Sequence, residues 1–530
     1  MHDGNVAATQ ERDAVLSSVL PHSHARIARV CVASTVDGTV DRSYFADMHP
    51  ESRLRRAWVA RIGGIHPLPF ATASHSTTPG NGGVQAAACA VFAVAPRRLR
   101  WDTLQVVLAL LVFVQVWRIG DLLPAIAIPG LPVLGTLAVL FLLVLDQDQR
   151  RRLDTLKQPV VRAALALLLL ATLSIPGSLY PRFSAMFVVT DYMRSVALML
   201  MIAASVRAVG DLRRLAWLQI VGVTLFCAVS LARGQVDVDG RLVVHTYYNS
   251  NDLALLIVST LPLTLYLWRR PAGLVGRAAL LAAASCIMMT LGRTGSRGGF
   301  LAFVAVAAYL LAGFRGIATS KRVAAVALLA ILLVALASDR YFERIQTILN
   351  PSADYNWRGK SETGRMEIWK RGIDYMMTYP VLGVGVGAFP MAEGTLAPEA
   401  REQRRYGRSF AWSAAHNPFI QVGAELGVLG LIAFVALLVK AFRTLSKVRR
   451  VPPAEAAMLA QSLTACLVGF VVAGFFSSLA YAAYLYMLLG MIVGLARTAS
   501  SRRRPVLGAG LALNLLAPGP NGLLQSRPDP

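Results

Sequence analysis

The chain has 530 residues, of which 55% are hydrophobic and 15% charged, and 53 Lys and Arg against 29 Asp and Glu give a formal net charge of +24. Globular domains carry about 25% charged residues, so this composition excludes a soluble, collagen-like or intrinsically disordered protein and indicates a polytopic membrane protein. The five cysteines (Cys31, Cys89, Cys227, Cys286 and Cys466) show no Cys-x-x-Cys or Cys/His spacing, which disfavours both a zinc site and a disulfide framework.

Residues 1 to about 84 are polar and lack sustained apolar periodicity, so the segment 1–100 reads as a disordered cytoplasmic extension. Its start, MHDGNVAATQERD, lacks the basic and apolar regions of a secretory signal. The apolar run 84–96 is shorter than the roughly 17 to 25 residues a membrane-crossing helix needs. From Trp101 onward the hydropathy pattern predicts an all-α membrane protein of about twelve spans: 102–117, 122–145, 162–179, 191–207, 215–232, 253–268, 277–291, 299–314, 322–338, 417–439, 457–475 and 479–496. The membrane domain is thus 101–497, followed by a cytoplasmic, disordered tail at 498–530.

Basic residues fall in alternate loops, such as Arg150–Arg151–Arg152, Arg213 and Arg214, Arg269 and Arg270, Arg315 and Lys321, and Arg449 and Arg450. The positive-inside rule makes those loops and both termini cytoplasmic. Most of the surplus charge is therefore topological, with attraction to anionic membrane lipids added, and nucleic acid is not an expected partner. Among the opposite loops one is long, 338–415, which marks it as functional.

Only two of the eight histidines, His245 and His416, lie outside the amino-terminal segment, and both fall near an external membrane boundary. A neutral imidazole there is suited to take a proton from a hydroxyl; the plainer alternative is a helix cap. The segment HNPFIQVGAELGVLG places His416 and Asn417 at a helix start, and Gly423, Gly427 and Gly430 read as a strip for close helix packing. Glu425 lies about two turns into that helix, where it either functions or hydrogen-bonds a neighbour.

External arginines run against the topological bias and ask for another reason. Arg293 and Arg297 flank a glycine-rich turn in LGRTGSRGG, Arg365 opens the helical-looking RMEIWKRG, and Arg241 precedes HTYYNSND. A lipid-linked phosphate or diphosphate at headgroup level supplies the reason, because the guanidinium fork matches its oxygens. Pairing with lipid headgroups or with Asp252, Glu362 or Glu367 is the alternative. GVGVGAF at 383–389 lacks dinucleotide-loop spacing and reads as a turn. No carboxylate cluster with metal-ligand spacing appears on the external side, so neither a metal nor a cofactor is expected.

HN-x9-G-x-x-G from His416 to Gly430, YYNSNDLA at 247–254, TGSRGGFLA at 294–302 and GRMEIWKRGIDYMMTYPVLGVGVGAF at 364–389 occur in the order in which similar motifs occur in the bacterial O-antigen ligases and the related O-antigen and exopolysaccharide polymerases. The chain resembles that family from about 100 to 497 in architecture and from about 245 to 435 in motif. The resemblance implies a metal-independent, inverting glycosyltransferase on the periplasmic face of the inner membrane. Its donor would be a glycan on undecaprenyl diphosphate and its acceptor a hydroxyl of lipid A-core.

A polymerase with the same donor and a glycan acceptor is the alternative, and a lipid-linked glycan transporter a further one. The family's R-x3-L motif fits Arg297 with Leu301, whereas Arg365 is followed by Trp369. Both arginines therefore join His416 as expected catalytic residues, with Arg241, Arg293, His245 and Asn417 as expected substrate-binding residues.

Overall fold

The computed structural model describes residues 102–118, 120, 128, 130–145, 149–237, 240–242, 248–269, 273–350, 356, 364–408, 412–450 and 454–501. The expected extension 1–100 and most of the tail 498–530 lie outside the described residues. What is described is α-helical, with one isolated antiparallel bridge between Val236 and Leu242. Apolar surroundings leave a backbone N–H or C=O no water to bond, so a helix, which satisfies these groups internally, is the element such sequences form.

Among the described residues eight helices are long and apolar enough to cross a membrane: Pro181–Ser205 (α5), Val209–Arg233 (α6), Ser250–Trp268 (α7), Gly273–Thr294 (α8), Thr319–Leu336 (α10), Pro418–Val448 (α15), Ala454–Gly474 (α16) and Ala483–Ser500 (α17). Four shorter apolar helices, Thr103–Gln115 (α1), Leu131–Leu145 (α2), Pro159–Leu173 (α4) and Arg297–Ala312 (α9), occupy the remaining predicted positions. Gln149–Leu156 (α3) is short and polar. The predicted and observed bounds differ most at the fourth span. The fourth span was expected from 191 but starts at Pro181, passes through a π-helical stretch at Val188–Tyr192 and ends at Ser205.

The centre of the bundle is α7 and α17, both buried over most of their length. Small residues let backbones approach there: a Cβ on Gly490 of α17 would sit 2.8 Å from the Met199 carbonyl oxygen of α5, and one on Gly299 of α9 would sit 2.7 Å from Ala254 of α7. A Tyr486–Tyr192 hydroxyl bond of 2.9 Å fastens the first pair. By contrast α10 buries only Leu333 among its residues and lies at the periphery.

Within the predicted long loop, the described part folds into four helices: Asp339–Gln346 (α11), Arg365–Thr378 (α12), Phe389–Leu396 (α13) and Pro398–Arg405 (α14). Arg371 of α12 forks onto Glu393 of α13, Nε to Oε1 at 3.0 Å and Nη2 to Oε2 at 2.5 Å, and Tyr375 donates to the same carboxylate at 3.0 Å. All three side chains are buried. This neutralised knot holds the α12–α13 pair as one body. Gly372 lets α12 lie against Ile420 in the first turn of α15, where a Cβ would come within 2.4 Å of that side chain.

The glycines of α15 correct one expectation. Gly423 does serve close packing, against Met376 of α12. Gly427 instead breaks the helix, with φ 69° and ψ −169°. Backbone groups freed by the break are claimed by the 380–388 turn: Val384 and Gly385 donate to the carbonyls of Ala424 and Glu425 at 2.9 and 3.0 Å, and Val428 donates to that of Pro380 at 2.8 Å. Because φ is +66° at Gly383 and a Cβ there would lie 2.3 Å from the Glu425 backbone, glycine is required. GVGVGAF is therefore a turn that mends a broken helix, as its spacing had excluded a nucleotide loop.

Candidate functional site

Four helices begin in one neighbourhood. α7 is capped by Asn249, whose side chain accepts from the N–H groups of Asn251 and Asp252 at 2.8 and 3.0 Å. α9 is capped by Ser296, accepting from Gly299 N–H at 3.1 Å. α15 is capped by Asn417, accepting from Phe419 and Ile420 at 2.9 and 3.2 Å, with Pro418 at the first helical position. α12 starts at Arg365 after Gly364.

Polar contacts tie these starts together. Arg241 donates from Nε to the Thr294 carbonyl at 3.0 Å and from Nη2 to Asn251 Oδ1 at 2.9 Å. The same Asn251 oxygen accepts from Ser296 Oγ at 2.9 Å. His416 donates its backbone N–H to Ser478 Oγ at 2.7 Å, and the adjacent Ser477 hydroxyl donates to Asp252. One turn between α16 and α17 thus anchors both His416 and the start of α7. Trp369 of α12 donates Nε1–H to the Ala415 carbonyl at 2.9 Å, fixing the residue before His416.

His416 has φ 49°, a left-handed backbone uncommon outside glycine. Its side chain is partly buried. Burial first, then the positive charges of Arg365 and Arg241, lower its pKa from 6.5 to about 4. Those two arginines also act electrostatically on buried Asp252. The imidazole is therefore neutral at physiological pH, the form that accepts a proton.

Arg297 and Arg365 each occupy the first residue of a helix. The amide dipoles there make a positive end that disfavours a cation and favours an anion. Two cations placed at two such ends, with Arg241 beside them, form a region built for negative charge. Arg297 also donates from Nη1 to Thr347 Oγ1 at 2.8 Å, which ties it to α11.

The structure brings together His416, Asn417, Arg365 and Arg241, and Arg297 follows Ser296 in the same network. Arg293 contributes its carbonyl, accepting from Leu242 N–H at 3.0 Å, while its side chain is exposed. His245 lies outside the described residues. Among the described residues no group of three His, Cys, Asp or Glu is placed to hold a metal ion.

Four residues contribute in ways that the sequence did not show. Ser477 and Ser478 lie in a short turn of ordinary composition, and only packing shows what they hold. Arg344 of α11 flanks Gly295 together with Arg241, at 3.2 and 3.4 Å from the place of a Cβ; its i, i+4 spacing from Arg340 was the available signal. Asp252 was weighed only as a counter-ion, and it proves also to cap α7 reciprocally with Asn249.

Residues 278–435 match the family model described as O-antigen ligase. That segment runs from α8 to α15 and includes Arg293, Arg297, Arg365, His416 and Asn417. The matched segment, under a third of the chain, is similar to the O-antigen ligase family. A curated relative, the exopolysaccharide production protein ExoQ of Rhizobium meliloti (strain 1021), is 36% identical over 80 residues, 15% of this chain and 18% of that protein. The chain therefore aligns with under a fifth of that relative's length. Together these likenesses support a membrane protein of the O-antigen ligase and polymerase type.

Proposed function

We propose that residues 101–497 form a glycosyltransferase that moves a glycan from undecaprenyl diphosphate to the hydroxyl of a lipid A-core acceptor. The observation that carries this reading is the gathering of His416, Arg241 and Arg365 where four helices begin. The neutral imidazole of His416 takes the proton from the acceptor hydroxyl as its oxygen bonds to the anomeric carbon. The bond from that carbon to the diphosphate oxygen breaks on the opposite face, so configuration inverts, and undecaprenyl diphosphate leaves as an anion. Arg365, Arg297 and Arg241 stabilise the charge that grows on it, the contribution usually largest in such reactions. Asn417 holds the start of α15, and with it His416, in place.

An entering diphosphate offsets the charges of Arg241 and Arg365, and with them part of what holds the His416 pKa down. Donor binding thereby makes the base stronger when it is needed. The distribution of basic loops supports a site facing the periplasm in the inner membrane, with the segments 1–100 and 498–530 on the cytoplasmic side.

The ExoQ likeness favours a second reading, a polymerase that uses another glycan as acceptor. Purified protein in nanodiscs, given a diphosphate-linked glycan donor with lipid A-core or repeat-unit acceptors, separates the two. Glycan on lipid A-core supports the ligase reading. A ladder built from donor units alone replaces it with the polymerase, and neither product from inserted protein refutes transfer altogether.

A further inference from the structure

At the end of the bundle remote from His416, α7, α8, α9 and α10 enclose a cavity of about 330 Å³. This lies within the range of roughly 300 to 1,000 Å³ common for ligand pockets. Its origin is geometric. Near the site α8 and α10 touch, since a Cβ on Gly292 would lie 2.8 Å from the Cα of Ala337. Toward the other end small residues, Ala284 on α8 and Ala324 and Ala325 on α10, line open space instead.

The wall is almost wholly apolar, with Leu265, Leu280, Leu281, Leu328 and Leu329 contributing. Its mouth is basic. Arg269 and Lys321, both exposed residues, line it, and Arg277 stacks over Trp268, another lining residue, at 5.9 Å from the ring centroid. Arg322 also lines the cavity but is committed elsewhere: its Nη1 bonds the carbonyls of Leu310, Leu311 and Phe314 that end α9, at 3.2, 2.7 and 2.6 Å. Among the described residues no acidic side chain lines the cavity.

We infer that this cavity binds an anionic phospholipid, with an acyl chain between α7, α8 and α10 and the headgroup phosphate held by Arg269 and Lys321. An apolar slot opening at a basic rim matches such a molecule in both halves. A zwitterionic lipid would fill the slot equally well but gain less from the rim. The site is separate from the glycan site and shares α7 and α9 with it.

The test is native mass spectrometry of the full chain released from nanodiscs holding equal amounts of phosphatidylglycerol and phosphatidylcholine with identical chains. Phosphatidylglycerol should be retained preferentially. Arg269→Gln with Lys321→Gln should lower that preference roughly 30-fold, from about 1 kcal/mol for each basic residue near a headgroup. Ala325→Trp, which fills the slot and leaves the rim intact, should abolish retention. Should that variant fail to insert, quenching of Trp268 fluorescence by phosphatidylglycerol with brominated chains, measured against Trp268→Phe, reports on the slot instead. Equal retention of the two lipids, a preference unchanged by the double variant, or the absence of Trp268 quenching overturns the assignment. Lipid retention is read without glycan transfer, so failure here is distinct from failure of the proposed reaction.

Discussion

Replacing Arg365 by Gln removes one of the two positive charges that, after burial, hold the His416 pKa at about 4. In the free enzyme the acid limb of kcat/KM reports this ionisation. The wild type should therefore lose kcat/KM only as pH falls through about 4. At pH 5 about 90% of His416 is then neutral, whereas a histidine left at 6.5 would be only about 3% neutral. Arg365→Gln moves the limb upward from about 4 but short of 6.5, because burial and Arg241 remain.

The reading uses the position of the limb, not its height, since Arg365→Gln also slows the reaction. With donor bound, diphosphate offsets the same charges, so the limb of kcat in the wild type should lie above that of kcat/KM. The assay is a pH profile of glycan transfer, paired with an NMR titration of labelled histidine in which His416→Gln identifies the resonance. A wild-type His416 titrating near 6.5, or a limb that Arg365→Gln leaves in place, refutes the argument from the arginine field.

Four further outcomes follow from the same geometry. Because folded His416 has a depressed pKa, between pH 6.5 and about 4 the unfolded chain takes up a proton that the folded one does not, so stability falls on acidification across that window; thermal midpoints should show the slope, and His416→Gln should flatten it. Arg297→Ala should cost about 10² to 10³ in kcat at normal abundance, the usual size for one preorganised charge contact, and near-normal turnover would remove Arg297 from the site. Arg371→Ala strands buried Glu393 and should destabilise by roughly 3 to 5 kcal/mol, seen as proteolysis within 365–405 under conditions where the wild type resists. Gly383→Ala forces a Cβ onto the Glu425 backbone at a positive φ and should lower the melting temperature, whereas Gly407→Ala, also at positive φ but with nothing within 4 Å, should lower it less.

Hydropathy made the membrane helices legible because lipid imposes one simple demand, satisfied backbone groups behind apolar side chains. The helix start at Asn417 was legible for a similar reason, since a side-chain cap acts over three residues, whereas the start at Ser296 was read as part of a glycine-rich turn. What stayed hidden depends on contacts between distant segments. Gly427 looks like any packing glycine until the Pro380 carbonyl is seen to enter the gap it makes. Asp252 and His416 lie 164 positions apart, and the serines at 477 and 478 that hold both carry no local signal. Arg241 and Arg365 were each singled out as external cations, yet their shared action on His416 required the fold.

The central claim is that His416 accepts the proton as the bond from glycan to diphosphate breaks. The measurement that meets it most directly is single-turnover release of undecaprenyl diphosphate from a labelled glycan donor in proteoliposomes with acceptor in excess, comparing wild type with His416→Gln at equal insertion. The account predicts a loss of about 10²- to 10⁴-fold in the variant with donor binding retained. Release at the wild-type rate would contradict it and place the base elsewhere.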